Sequence, residues 1–417
     1  MATASNKRVD LQFGLECLGC VGLTILFHLL QVSYLSSSGL FIWTLIGGIA
    51  SGLIWLTDFW RARNAFRSVV TVSLKLASYT LYSLVLIMVV NALLAIVWQG
   101  THFWAQGLLS LGTILIIGLS LPGFFKLVVN ETNPVLRMVS IFFYYLGFGL
   151  FPQSLGFGNH YVNDYGAPYW VAFISATLLV IYAMVHWEYQ LPKLKFNHHL
   201  NYWWLALLIV PRFLVMGMSA GSWSRLFSLP LQIRWVIPND SLTTATIYVI
   251  FTIVTVCFKE ELIFRYLFLA QILNAVKGSV RTRILKTTLI TATLFAAWHL
   301  HHIFYQPLAT TSLQILAAFG MGVVFAIIYL YIGTIWVTVI MHSIFDLFSV
   351  DMAGSVTPFV SQPTSFLVEF IVITTAIQVV LGLIAIYTMK TGPFEQTIRA
   401  NQRKQALRRP VANLSES

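Results

Sequence analysis

The sequence predicts an all-α fold, a polytopic bundle of about 12 transmembrane helices with both termini on the cytoplasmic side. Three observations carry this expectation: an extreme apolar composition, a series of long apolar runs, and a one-sided distribution of Lys and Arg. Of 417 residues, 58% are hydrophobic and only 9% are charged, and the mean hydropathy is +0.80. Soluble domains are about a quarter charged, so this composition excludes a soluble globular enzyme, a disordered chain and a disulfide-built scaffold. The three cysteines, Cys17, Cys20 and Cys257, all lie in apolar runs. Cys17 and Cys20 form a CxxC on an apolar helix, where small buried hydrophobes are the expected role.

The runs follow one another at lengths suited to a bilayer, which needs about 20 apolar residues per helix. The first, 12–34, follows Lys7 and Arg8 as a signal peptide would. Its length and the lack of a small-residue cleavage site identify it as a retained helix. Runs at 39–57, 74–98 and 103–122 continue the series, then a short one at 137–152, then 168–186 and 200–218. The connection 219–242 carries Trp223, Leu226, Phe227, Leu229, Leu231 and Trp235, which suits a segment lying on the membrane surface. The next run, 243–273, would be ~46 Å long as a straight helix against a ~30 Å hydrocarbon core. It must tilt, project or break, with the stretch near Glu260 the candidate place for a break. Runs at 287–304, 312–331, 333–350 and 365–388 complete the set, the middle two separated at Gly333.

Basic residues assign the sides. With the N-terminus inside, the cytoplasmic segments hold Lys7, Arg8, Arg61, Arg63, Arg67, Lys75, Lys126, Arg137, Lys193, Lys195, Lys277, Arg281, Arg283 and Lys286. The tail adds Lys390, Arg399, Arg403, Lys404, Arg408 and Arg409, whereas the outside connections hold only Arg225 and Arg234. The net charge of +11 is therefore a topology signal. Neither an aromatic-interleaved basic patch nor a Gly-rich phosphate loop accompanies it, so nucleic acid is not an expected partner. On this reading the chain divides into accessory transmembrane helices at 1–235, a charge-bearing helical core at 236–355, a further helix at 356–390 and a basic cytoplasmic tail at 391–417. The tail is expected to be flexible or partly helical and to touch anionic headgroups.

A charge in hydrocarbon costs roughly 2.5–3.5 kcal/mol on insertion scales, so each one needs a partner, a cavity or a function. The run 243–273 holds Lys259, Glu260, Glu261 and Arg265; the next holds His299, His301 and His302; 333–350 holds His342 and Asp346. Glu16, His28, Arg212 and Glu369 are scattered singles. Glu261 and Arg265 are four apart with the acid first, the favourable order for an ion pair. Glu260 points about 100° away and is not committed to that arginine. Phe295 with His299, and His342 with Asp346, each share a helix face. Asp346 is thus placed to fix the ring orientation of His342. Lys259 is expected to snorkel or to pair with an acid, His301 and His302 to sit near the interface, and Arg212 to pair with Glu261 or Glu369.

The run Glu260-Glu261-Leu262-Ile263-Phe264-Arg265 fits EExxxR, Phe295-Ala296-Ala297-Trp298-His299 fits FxxxH, and His342-Ser343-Ile344-Phe345-Asp346 fits HxxxN/D. In this order on apolar helices, over residues 236–355, they resemble the three motifs of the CPBP family. That family comprises the CAAX prenyl endopeptidases and the bacteriocin-processing or immunity (Abi) proteins, described as intramembrane glutamic proteases. The resemblance implies hydrolysis of a peptide bond in a membrane-anchored or lipidated substrate by an activated water, with no cofactor and no metal. It implies that Glu260 takes the proton from water, that His299 holds the water or shares that role, and that His342 and Asp346 stabilise the oxyanion. Asp346 stands where the family often has Asn and cannot donate unless protonated, so orienting His342 is its expected part. Glu261, Arg265 and Phe295 are expected to be supporting residues. Preorganised donors in such a low-dielectric site act more strongly than in water.

Other classes are weighed beside this one. Two histidines and a carboxylate (Glu260, His299, His342) are a known zinc set, but no HExxH is present and this ranks lower. A non-catalytic membrane partner or regulator would not depend on Glu260. A proton-coupled transporter would use the same relay, but the repeated halves common in transporters are absent. The compact connections and the lack of an organelle-retention signal favour a bacterial plasma membrane.

Overall fold

The computed structural model describes residues 122–154, 167–219, 254–304, 306–353 and 365–406, with residues 72–77, 79 and a few isolated helical positions nearer the N-terminus. Among these every regular element is helical and no strand occurs. Apart from those isolated positions the expected runs at 12–34 and 39–57 lie outside the described residues, as do most of 74–98, almost all of 103–122, residues 220–242 and the first part of 243–273. The chain divides into two units, Met1–Trp187 and Glu188–Ser417.

In the first unit, α1 is Pro122–Val129, α2 is Pro134–Ser154 and α3 is Ala167–His186. The start of α2 is written in the sequence. Pro134 occupies the first helical position, where its missing N–H is no loss, and the Asn133 carboxamide oxygen accepts from Val135 N at 2.9 Å. The α1–α2 turn is held by buried Glu131, which accepts from Thr132 N and Asn133 N and pairs with Lys75 at 3.0 Å. Trp187 closes the unit by donating its indole N–H to Val129 O at 3.0 Å, with the Arg137 guanidinium 4.7 Å from its ring centroid.

The second unit contains α4 (Tyr202–Ser219), then α5, which spans 254–275 and passes through a π-helical segment at Leu262–Phe268. Helix α6 is Val280–Trp298 and runs into a 3-10 turn, His299–Phe304. Then come α7 (Leu308–Ile332), α8 (Trp336–Ala353), α9 (Ser365–Thr388) and α10 (Thr391–Ala406). Ser279 caps α6 by accepting from Thr282 N. Gly333, at φ 84°, ends α7 in the left-handed conformation glycine adopts without a Cβ penalty.

Helix α7 is the centre of this unit, packed against α6 on one side and α9 on the other, with every residue from Gly320 to Ile332 buried. Small residues set the spacing. A Cβ on Gly322 would lie 2.9 Å from Ala292 Cα of α6, and one on Gly382 of α9 would lie 2.7 Å from Val323 Cγ1. Helix α10 lays Phe394 against Tyr331 with ring centroids 5.0 Å apart. Asn197 locks this end by donating to Tyr331 O, Pro393 O and Thr397 Oγ1. The first part of the basic tail is therefore a packed helix, with Phe394, Thr397, Ile398 and Asn401 buried.

Two helical segments, Leu308–Ile332 and Val368–Thr388, are long and apolar enough to cross a membrane, each with a mean hydropathy of 2.4. Pro134–Tyr144, Thr177–His186, Tyr202–Pro211 and Trp336–Leu347 are shorter apolar segments. Among the described residues the helix does not break near Glu260; it widens into the π-helical segment. The chain continues as helix but with one residue more per hydrogen-bonded turn, as Leu269 N–H bonds to Phe264 O.

Candidate active site

Helix α5 places Glu260 and Glu261 immediately before the π-helical segment, in the middle of which Arg265 is fully buried. Arg265 and Glu261 are both fully buried and pair at 3.2 Å between Nε and Oε2. The guanidinium lies 4.7 Å from the Phe295 ring centroid and 5.7 Å from that of Phe325, so aromatic faces on α6 and α7 offset part of its desolvation. The sequence spacing predicts this ion pair, and it forms.

Helix α8 brings His342 to the same acids. His342 Nδ1 is 3.0 Å from Glu261 Oε1. A carboxylate only accepts, so Nδ1 carries the hydrogen and donates it. The other ring nitrogen, Nε2, stands 3.7 Å from Glu260 Oε2 and 3.7 Å from Asp346 Oδ1. Those separations are too long for hydrogen bonds. Asp346 therefore stands beside the ring without a hydrogen bond to it, and the carboxylate bonded to the ring is Glu261. The i,i+4 spacing on α8 puts Asp346 near the ring, but the turn of α8 toward α5 decides which acid reaches Nδ1. Glu261 thus bridges Arg265 and His342 with its two oxygens.

Glu260 is held from a second side, where Trp298 donates its indole N–H to Oε1 at 3.2 Å. Its side chain is 12% exposed, that of Asp346 37% and that of His342 3%. The acids thus line the open side of a buried histidine. His299, the next residue after Trp298, caps α6 and donates Nδ1–H to Phe295 O at 3.0 Å, which leaves the Nε2 lone pair as its available atom. Among the described residues no hydrogen bond or ion pair joins His299 to Glu260, Glu261 or Asp346. It is linked to the acids through Phe295, whose ring is edge-on to His299 at 5.2 Å and to His342 at 5.8 Å. Phe295 is fully buried and separates the two histidines while lying over Arg265.

The remaining sequence candidates fall around this centre. His301 bonds Trp298 O and His302 bonds Gln314 Oε1, with their two rings 4.2 Å apart. Lys259 is buried and Glu369 is exposed on α9. The side chain of Arg212 lies outside the described residues. Three contacts were not anticipated: Trp298 on Glu260, Phe325 against His342 at 5.6 Å, and Cys257 Sγ donating to Asp346 Oδ2 at 3.3 Å. Helical spacing held a signal for Cys257, which precedes Glu260 by three residues and Glu261 by four and so shares their face. For Trp298 the signal was an indole N–H on an apolar helix, which seeks an acceptor when withdrawn from water.

Acidic and imidazole groups thus converge among apolar helices, two of which are long and apolar enough to cross a bilayer. Residues 242–348 match the family model described as Type II CAAX prenyl endopeptidase Rce1-like, which assigns this segment to the CPBP/CAAX protease family. The match contains Glu260, Glu261, Arg265, Phe295, His299, His342 and Asp346. No curated protein and no solved structure matches the chain.

Proposed function

We propose that this protein is an intramembrane glutamic endopeptidase that cleaves a peptide bond in a membrane-anchored or lipidated peptide, either CAAX-type or in bacteriocin or pheromone processing or self-immunity. The observation that carries the reading is the arrangement about His342, with Glu261 on Nδ1 at 3.0 Å and Glu260 facing Nε2 at 3.7 Å. One carboxylate holds the ring and the other stands at the open side.

In this mechanism a water beside Glu260 attacks the scissile carbonyl carbon. The water's proton passes to the Glu260 carboxylate, and the new C–O bond places negative charge on the carbonyl oxygen. His342 stabilises that oxygen by donating from Nε2. Because Nδ1–H is already committed to Glu261, donation from Nε2 requires the doubly protonated ring, and the carboxylates of Glu260, Glu261 and Asp346 around it compensate that charge. Collapse breaks the C–N bond as Glu260 returns the proton to the departing amine. Trp298 fixes the Glu260 side chain through Oε1, and His299 supplies a lone pair to hold the attacking water. Glu261, Arg265 and Phe295 support this arrangement. The setting is a multi-pass protein with about 12 spans and both termini inside, in a bacterial plasma membrane.

The test compares peptides and proteins of membranes from cells carrying the wild-type chain and the Glu260→Gln variant. The expected outcome is a fragment present with the wild type and lost with the variant at equal protein level, a fall of at least about 100-fold for removal of a general base. An unchanged set of fragments overturns the reading.

A further inference from the structure

We propose that Cys257, His342 and Asp346 form a binding site for a thiophilic divalent cation of the Zn²⁺ type, and that an ion bound there stops hydrolysis by occupying Nε2 of His342. The inhibitory part rests on the reading of His342 given above. The site itself rests on geometry alone. One ligand atom from each of the three residues lies within 4.8 Å of the other two, with Cys257 and His342 buried and Asp346 partly exposed. Tetrahedral bonds of about 2.3 Å to sulfur and about 2.0 Å to nitrogen separate ligands by roughly 3.5 Å, so small side-chain rotations close the set. Asp346, the most exposed of the three, has the freedom to make them.

The chemistry of the donors selects the ion. A thiolate, an imidazole and a single carboxylate suit Zn²⁺ or Co²⁺, whereas Mg²⁺ and Ca²⁺ prefer oxygen throughout. The ring is already arranged for a metal. Glu261 accepts from Nδ1–H at 3.0 Å, which leaves Nε2 on the side of Cys257 and Asp346, the carboxylate–histidine pairing that orients metal-bound imidazoles once Nε2 is deprotonated. Glu260 Oε2, 3.7 Å from Nε2, or a water takes the fourth position. Binding replaces the Sγ–H···Asp346 bond, and the thiol proton and the Nε2 proton of His342 both leave to solvent. Nε2 cannot hold a metal and a proton together. The ion therefore removes the donor on which stabilisation of the oxyanion depends.

The full-length chain, purified in detergent, is titrated with Co²⁺ and Zn²⁺. Expected are one bound ion per chain, a thiolate-to-cobalt charge-transfer band, and displacement of cobalt by zinc. Cys257→Ser is expected to abolish the band and weaken binding by at least about 100-fold, and Asp346→Asn, read by the cobalt spectrum alone, to weaken binding as well. In membranes, added Zn²⁺ is expected to suppress the Glu260-dependent fragment in the wild type. In the Cys257→Ser variant, cleavage measured against that variant's own zinc-free level is expected to resist zinc. Cobalt binding that lacks the thiolate band, or that survives Cys257→Ser undiminished, overturns the site. If cleavage is raised by zinc or abolished by chelation, the inhibitory role is overturned. If no fragment depends on Glu260, the proposed protease activity fails, while the cation site still stands or falls on the cobalt spectrum.

Discussion

Glu261 connects the buried guanidinium and the buried imidazole of the site, with Oε2 on Arg265 and Oε1 on His342. Removing one member of a buried ion pair is costly because the other charge remains desolvated, by about 3–5 kcal/mol. Glu261→Gln is therefore expected to lower the thermal unfolding temperature in detergent sharply or to prevent accumulation. Glu260→Gln, at a partly exposed carboxylate held by one indole N–H, is expected to melt near the wild-type temperature while losing cleavage. Equal melting of both variants would deny Glu261 its supporting part. The Glu261–Arg265 pair is legible in the sequence because both residues lie on one helix, where 3.6 residues per turn fix their separation. The Glu261–His342 bond is not legible, because its partners lie 81 positions apart on different helices.

The elements carry these residues by close approach. Helix α6, which bears Phe295, Trp298 and His299, meets α7 where Gly322 faces Ala292. A side chain on Gly322 would press within 2.9 Å of backbone carbon, so α6 must shift outward to admit one. Gly322→Val is expected to destabilise the protein by about 1–3 kcal/mol and to reduce cleavage by moving Trp298 away from Glu260. A thermal melt and the membrane fragment assay check the two effects, and wild-type values in both would refute the packing argument. Helix positions were largely readable from hydropathy: the run 365–388 is α9, Ser365–Thr388, and the run 200–218 is α4, Tyr202–Ser219, within two residues. The π-helical form of the interruption after Glu261 was not readable. Excess helix length required a deformation near there, but neighbouring helices determine whether the chain tilts, breaks or widens.

Across the second unit, exposure separates two kinds of apolar helix. Within its most apolar window α7 is 78% buried and serves as the packing centre, whereas α9 is 33% buried and leaves Val372, Ile373, Ile377, Val380 and Ile384 on the outside. Such a face suits lipid. The asymmetry of Lys and Arg predicts the sidedness of the whole molecule, and reporter fusions test it. Green fluorescent protein fused after Ser417 is expected to be fluorescent, and alkaline phosphatase fused at the same point to be inactive. The opposite pattern would reverse the orientation. The same fusions after Trp223 are expected to give the reverse result, an active phosphatase and no fluorescence.

The sequence by itself determined the helical, apolar class of the chain, the places where charge enters apolar helices, and the three motifs that resemble a protease family. Those properties are local: composition, hydropathy and spacing along one helix need no knowledge of a neighbour. Only the tertiary structure decided that Glu261 rather than Asp346 holds His342, that Trp298 reaches Glu260, and that Cys257 joins His342 and Asp346. These depend on the rotation and separation of α5, α6 and α8 about α7, which are set by interlocking side chains and close glycine contacts. Residues far apart in the chain converge there because packing, not spacing, fixes the distance between helices.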